Sequence, residues 1–360
     1  MKKIRLTLDD IFSIPTAVIY NPDSFETVSA VSIDSRNVKP DSLFVAIDGE
    51  KFDGHNFIND AIKKGAVVVL ISEKKKDNFN GLKITFITVK DTKIALGDIA
   101  KIWRNKLNTK VIGITGSSGK TSTKEFLSTV LSEKYKVNKT IANNNNHIGV
   151  PLTILDTNEK HQILITELGT NHFGEIAYSA NIVRPDYAVI TNIGDTHLEY
   201  FKNKKGVLKE KIELFKAAME NNGTLFINND DPLLKNVFQN YPKRITYGFN
   251  YYSTAQGKIV GFTNLGKYII EFKYKNKTLK FTCPLYGEYN AKNILAVATV
   301  SFYSGINKNE FLRSLKRLKP IEKRLNVNTF ENFIIIDDTY NANPDSMKYA
   351  IELIGRMNAY

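Results

Sequence analysis

Lys120, in the run Gly113-Ile-Thr-Gly-Ser-Ser-Gly-Lys-Thr-Ser-Thr-Lys124, is the side chain most plainly placed for chemistry. An apolar stretch, Val111 to Ile114, leads into the turn. Gly116 and Gly119 carry no Cβ, so backbone N–H groups can close around a phosphate. Lys120 brings a positive charge to the outer phosphates, and the Thr121 hydroxyl can ligate an accompanying Mg²⁺. The candidate phosphate contacts are Gly116, Ser117, Ser118, Gly119, Lys120, Thr121 and Ser122. A helix-like segment, Thr123 to Leu131, follows, and its N-terminal dipole favours anions. The spacing departs from the common G-x-x-x-x-G-K-[ST] pattern, because Ile114 stands where the first glycine would be. The strand–loop–helix context carries the reading instead.

The elements that must hold this loop fall into three segments. Residues 1–108 alternate short apolar runs, Ser42 to Ile47 and Ala66 to Ile71, with a helix-like stretch from Asn56 to Lys64 that Gly65 ends. That pattern suggests a small α/β domain. Its polar stretches, Ser32 to Arg36 and Asp48 to Asn56, are loops of a type that holds ligands as readily as it makes ordinary turns. Residues 109–318 contain four short, nearly continuously apolar strands: Lys110 to Thr115, Gln162 to Glu167, Tyr187 to Asn192 and Gly223 to Asn228. Helices lie between most of them, so a mostly parallel, doubly wound sheet is expected. Ligands bind beyond the carboxyl ends of such strands, where the phosphate loop, Glu167, and Asp195 with His197 fall in turn. Residues 319–360 hold one strong strand, Phe333 to Ile336, and a helix from about Ser346. About 40 residues are too few for a third α/β domain, so this segment is expected to dock on its neighbour or to begin a longer domain.

Lys211 is a less obvious candidate. Val207 to Met219 reads as one helix with Leu208, Ile212, Phe215 and Met219 on a stripe. Lys211 falls on the rim of that stripe, where a lysine can snorkel, and Lys209 and Lys216 face solvent.

Composition excludes several classes. The chain has 360 residues, is 42% hydrophobic and carries a formal charge of +13, with one cysteine, Cys283. No apolar run approaches the roughly 18 to 20 residues of a membrane span, and no apolar region follows the basic N-terminus. A lone cysteine fits a reducing cytoplasm, and a cytoplasmic location is expected. The lysines are dispersed, with Lys74 to Lys76 a short surface run, and there is no aromatic–basic repeat. No nucleic-acid partner is expected; the basic balance suits an anionic small substrate.

Five runs together resemble the Mur ligases, the ATP-dependent amide-forming enzymes of peptidoglycan synthesis. They are Gly113 to Lys124, Asn144 to Leu155, Glu167 to Ile176, Gly287 to Asn293 and Asp337 to Pro344. The Ser32–Arg36 and Leu43–His55 stretches also look like the family's uridine-nucleotide domain. The resemblance implies three domains: 1–108 for the UDP-muramoyl peptide, 109–318 for ATP, and 319–360 as the truncated start of a C-terminal Rossmann-like domain. It implies ATP and two Mg²⁺ ions as cofactors. Thr121 and Glu167 would hold one ion, and His197 with Lys211, as a carbamate, the other. A histidine alone after a strand is more often structural. Catalytic residues would be Lys120, Lys211 and His197. Asn290 and Asn293 would face adenine, Arg324 the phosphates and Asp338 the ribose. Ser32, Asp34, Ser35, Arg36, Asp53, Gly54 and His55, with Asn145 and Asn146, would contact the muramoyl substrate. The implied substrates are UDP-N-acetylmuramoyl-tripeptide and D-alanyl-D-alanine, joined by a monomer through an acyl phosphate. Another Mur-type or folylpolyglutamate-type ligase, or a non-catalytic nucleotide-binding protein, is the alternative.

Overall fold

The computed structural model of the chain describes residues 4–49, 52–264, 266–322, 324–339 and 344–356, the side chains at 344–346, 349 and 356 excepted. Two compact units emerge: Met1–Thr109 with Asn144–Leu164, and Lys110–Asn143 with Ile165–Tyr360. The central segment expected as contiguous from 109 is therefore interrupted, because Asn144–Leu164 packs with the first unit. Residues from 319 onward fall within the second unit.

The first unit is built on five strands: β1 (Val18–Tyr20), β2 (Ala30–Ser32), β3 (Ser42–Val45), β4 (Ala66–Ser72) and β5 (Thr85–Val89). Their order is β1-β5-β4-β3-β2. β2 to β5 run parallel, and β1 closes the edge antiparallel to β5. Every residue of β3 and β5 is buried, which is why both are continuous apolar or small-polar runs. One face packs Phe44, Val69, Ile71 and Phe86 against Ile58 and Ala61 of helix Ile58–Lys63. Helix Thr92–Lys106 starts where the Asp91 side chain accepts from the Lys93 and Ile94 N–H groups. It packs against helix Gly149–Leu155, and the Trp103 indole donates to the Thr157 carbonyl at 2.8 Å. These long-range contacts draw Asn144–Leu164 into the first unit.

The second unit holds a nine-stranded sheet of β6 (Lys110–Thr115), β7 (Val137–Lys139), β8 (Ile163–Glu167), β9 (Tyr187–Ile190), β10 (Thr224–Asn228), β11 (Arg244–Gly248), β12 (Ala255–Phe262), β13 (Tyr268–Tyr274) and β14 (Lys277–Thr282). The order is β14-β13-β12-β11-β10-β9-β6-β8-β7. From β6 through β9, β10 and β11 to β12 neighbours are parallel; β12 to β14 form an antiparallel extension. β6 thus lies between β9 and β8, and the loops leaving those three strands converge at one sheet end. Helix Glu288–Tyr303 packs on helix Lys120–Leu131, and helix Glu175–Val183 on helix Glu213–Glu220.

Three expectations need correction. The single helix Val207–Met219 is two helices, Lys204–Lys211 and Glu213–Glu220, which meet at Ile212. The buried positions are Val207, Glu210, Lys211, Leu214, Phe215 and Ala218, while Leu208, Ile212 and Met219 are only partly buried. Lys211 lies in the middle of the buried stripe, not on its rim. The strand expected at Phe333–Ile336 is β16 (Ile334–Asp337), paired antiparallel with β15 (Asn326–Thr329). Phe333, Ile334 and Ile335 are exposed. Of the Asp337–Pro344 run, residues 340–343 lie outside the described residues, as do 50–51 of the Asp48–Asn56 stretch. Among the described residues no helix is long and apolar enough to cross a membrane.

Candidate functional site

The phosphate loop leaves β6 and enters helix Lys120–Leu131 at Gly119, whose φ of 80° suits glycine. A Cβ on Gly119 would stand 2.5 Å from Asn293 Oδ1, and one on Gly116 would stand 1.8 Å from Thr191 Oγ1. Both glycines are fixed by close approach as well as by backbone conformation. The segment after β9 shapes the loop from the other side. Ser117 N–H donates to the Asn192 carbonyl and Ser118 N–H to Asn192 Oδ1, both at 3.0 Å. Asn192 Nδ2 donates to Ser118 Oγ at 2.8 Å, and Gly194 N–H to Ser117 Oγ at 2.8 Å. The Ser117 and Ser118 hydroxyls thus serve the loop's own shape. Ser122 is buried in the first turn of the helix.

Lys120 Nζ donates to the Gly116 carbonyl at 2.7 Å, so its ammonium lies within the loop. Burial lowers its pKa, the Glu167 carboxylate opposes that, and Arg324 adds to the lowering. Thr121 Oγ1 donates to Glu167 Oε1 at 3.1 Å. Arg324 Nη2 donates to Thr121 Oγ1 at 3.3 Å, which brings the segment before β15 onto the loop. Asp338 Oδ1 accepts from the Leu325 N–H at 3.0 Å; burial raises its pKa while that bond and Arg324 pull it down. Arg324 and Asp338 are therefore held at one place by adjacent backbone.

Lys211 is 2% exposed. Burial lowers its pKa well below the ordinary lysine value, Lys120 lowers it further, and Glu210 opposes. The direction of that shift favours the neutral amine. His197 caps helix Leu198–Phe201 with φ 52°. Its pKa is lowered by burial, then by Lys211 and Lys120, so a neutral imidazole is favoured. Among the described residues no three His, Cys, Asp or Glu side chains cluster as a complete metal cage. The donors present, a hydroxyl and one carboxylate, suit a hard cation that keeps waters and phosphate oxygens.

Beside the loop lies a cavity of about 840 Å³, lined by Ser118, Asn192, Asp231, Tyr247, Lys292 and Asn293 among others. Asn293 Nδ2 and Tyr247 Oη are buried there with no hydrogen-bond partner among the described residues. Asn290, one turn earlier in the same helix, donates to the Tyr286 carbonyl at 2.9 Å and is spent on the helix start.

In the first unit, the loops after the adjacent strands β2 and β3 share one sheet end. Ser32 Oγ donates to the Asp34 carbonyl, and the Asp34 carboxylate accepts from Arg36 Nε and Nη2 at 2.9 and 2.8 Å. Ser35 is buried, and the Arg36 side chain is 83% exposed. Gly54 N–H donates to the Ile47 carbonyl at 2.8 Å. Both ring nitrogens of His55 are engaged: Nδ1 with Asp53 Oδ1 at 2.6 Å, and Nε2 accepting from Ser72 N–H at 3.0 Å. Lys75, expected as solvated surface, pairs with Asp53 and lies 3.5 Å from Asp48. Burial would raise the Asp53 pKa, but Lys75 and His55 outweigh it and bring it to about 2. Asn146 Oδ1 accepts from the Ile148 and Gly149 N–H groups at 3.1 and 2.9 Å, at the start of helix Gly149–Leu155; Asn145 is its half-buried neighbour.

Sequence reasoning missed four residues of this machinery. Asn192 had a signal, as a polar side chain directly after an apolar strand. Lys124 and Glu210 are ionisable side chains at apolar-stripe positions, Lys124 with Leu127 and Leu131, Glu210 with Val207 and Leu214. Glu210 is 2% exposed, and its carboxylate accepts from Gly174 and Ile176 N–H groups and from the Thr170 hydroxyl. Tyr247 had no signal, because only the sheet brings it to the cavity.

Residues 114–301 match the Mur ligase middle domain, and residues 27–104 match the Mur ligase family catalytic domain. The UDP-N-acetylmuramoyl-tripeptide–D-alanyl-D-alanine ligase of Bacillus subtilis (strain 168) is 35% identical over 99% of this chain and 77% of its own length. A MurF structure from Acinetobacter baumannii superposes with a TM-score of 0.87 at 27% identity, covering 99% of this chain and 78% of that one. A MurF ligase from Thermotoga maritima in complex with ADP gives 0.81 at 30% identity, covering 91% and 74%. With a middle-domain match over more than half its residues and a relative of this identity along its whole length, the chain belongs to the Mur ligase family.

Proposed function

We propose that this protein is an ATP-dependent ligase that joins D-alanyl-D-alanine to UDP-N-acetylmuramoyl-tripeptide through an acyl phosphate, in peptidoglycan precursor synthesis. The observation that carries the reading is the convergence of Lys120, Thr121, Glu167 and Arg324 at one sheet end, in a chain that aligns over 99% of its length with 77% of a ligase of that name. Residues 1–108 bind the UDP-muramoyl peptide on the loops after β2 and β3. Residues 109–318 bind ATP, and 319–360 contribute Arg324 and Asp338.

Lys120 and the loop amides hold the β- and γ-phosphates, and Arg324 reaches the same charge. The cavity takes the nucleoside, where the Asn293 carboxamide offers the donor–acceptor pair that suits the adenine edge. Asp338 meets the ribose hydroxyls. Thr121 and Glu167 hold one Mg²⁺, and His197 with carbamylated Lys211 a second. Bound there, the ions neutralise charge on the transferring phosphoryl group. A tripeptide carboxylate oxygen bonds to the γ-phosphorus as the bond to ADP breaks. The amine nitrogen of D-alanyl-D-alanine then bonds to the acyl carbon, the carbon–oxygen bond to phosphate breaks, and the nitrogen loses a proton. The work of the protein is positioning and charge neutralisation.

The burial of Lys211 supports the carbamate, because only a neutral amine adds CO₂. A cytoplasmic monomer is the accompanying proposal. The test is phosphate release with each substrate omitted in turn. Release that requires ATP, the tripeptide and D-alanyl-D-alanine together bears the reading out. Release with another amino acid in place of the dipeptide would replace it with a different ligase.

A further inference from the structure

We infer that Lys124 is a positioning residue: its buried ammonium holds one oxygen of Glu167 so that the other faces Thr121. The inference rests on the reading of Thr121 and Glu167 as the magnesium-binding pair. Lys124 has no exposed surface and Glu167 is 1% exposed. Lys124 Nζ lies 3.3 Å from Glu167 Oε2 and 3.4 Å from Glu125 Oε1, and it donates to the Ala142 carbonyl at 2.8 Å. Glu167 Oε1 meanwhile accepts from the Thr121 hydroxyl. The two carboxylate oxygens are therefore divided, one facing the phosphate loop and one facing the ammonium behind it. The Glu167 backbone is fixed separately, by its N–H bond to Thr140 Oγ1 at 3.0 Å.

The arrangement is costly unless it has a use. A lysine at an apolar-stripe position gives up its hydration, and a buried pair of charges is no more stabilising than apolar residues of the same size. What the pair supplies is orientation. Ala142, whose carbonyl Lys124 binds, has φ 50°, a conformation a non-glycine residue keeps only when its surroundings hold it. One ammonium thus links the helix behind the loop, the end of β8 and the turn after β7. Residues that orient a metal ligand from behind act on metal affinity without touching the metal.

The experiment is a cycle of Lys124→Met, Glu167→Gln and the double variant, followed by thermal melting and by calorimetry of ADP with and without Mg²⁺. Lys124→Met should melt lower than the double variant, because it alone leaves a buried carboxylate unpaired. In Lys124→Met the tightening of ADP binding by Mg²⁺ should fall at least tenfold, an effect that loss of packing alone would not produce. Melting shifts that simply add, or a Lys124→Met protein with wild-type Mg²⁺ tightening, would overturn the inference. If Lys124→Met does not fold, a folded double variant supports the inference and an unfolded one overturns it. Absence of any Mg²⁺ effect in the wild type would count against the magnesium pair alone, and the melting cycle would still decide the role of Lys124.

Discussion

The Thr121 hydroxyl donates to Glu167 Oε1 across 3.1 Å, joining the helix behind the phosphate loop to the end of the neighbouring strand β8. A hydroxyl and a carboxylate at that distance are two of the hard oxygen ligands a magnesium ion accepts. Thr121→Val keeps the shape and removes the oxygen. It should weaken ADP binding in the presence of Mg²⁺ by about tenfold, about 1.4 kcal/mol, and leave metal-free ADP binding nearly unchanged. Calorimetry under the two conditions checks this.

Lys120→Ala removes the cation that lies inside the loop. Removing a comparable electrostatic donor costs on the order of 3 kcal/mol of transition-state stabilisation, roughly a hundredfold or more in rate. Phosphate release should collapse while the thermal melt stays within a few degrees of wild type. A melt that collapses with the activity would instead make Lys120 a structural residue.

Lys211→Ala should be inactive and partly rescued by short-chain carboxylic acids, which would supply the anion assigned to the proposed carbamate. The burial that lowers the Lys211 pKa also sets a direction with pH. The neutral amine is lost as pH falls through that lowered value, so CO₂-dependent activity should decline on the acid side and not on the basic side. Activity assayed across pH with bicarbonate fixed and with formate or acetate added tests both statements.

How far the sequence carries depends on what kind of contact fixes each part. β6 is found at Lys110–Thr115, the span the sequence indicates, because a strand buried on nearly its whole length must be a continuous apolar run. The three strands from Ala255 to Thr282 do not announce themselves that way. Their residues alternate between buried and exposed, so a search for continuous apolar runs passes over them. Lys211 was misplaced for a related reason. Apolar residues lie on both sides of its helix, and only packing shows that the Val207–Leu214 side faces the core. The phosphate loop was legible from its glycines and lysine. The Asn192 contacts that hold it and the Lys124–Glu167 pair behind it were not, since both depend on which strands the sheet places side by side.

Asp53 carries a separate prediction for the first unit. Its folded pKa of about 2 lies below the ordinary 3.8, so its pairing with Lys75 and His55 stabilises the fold above pH 3.8. The contribution is lost as pH falls through about 2. Solvent screening at this partly exposed site reduces the effect, so Asp53→Asn should destabilise the protein by about 1 kcal/mol at neutral pH. The difference from wild type should shrink as the solution is acidified. Denaturant titrations at several pH values measure it; a difference that does not change with pH would mean the carboxylate charge is not what matters.

The central claim is that a substrate carboxylate is phosphorylated before the amide forms, and an oxygen label follows that step directly. UDP-N-acetylmuramoyl-tripeptide carrying ¹⁸O in its terminal carboxylate is incubated with the protein, ATP, Mg²⁺ and D-alanyl-D-alanine, and the phosphate is analysed by mass spectrometry. The account predicts one labelled oxygen in each phosphate released, with the other retained in the new amide carbonyl. Phosphate free of label, formed together with the ligated product, would contradict it.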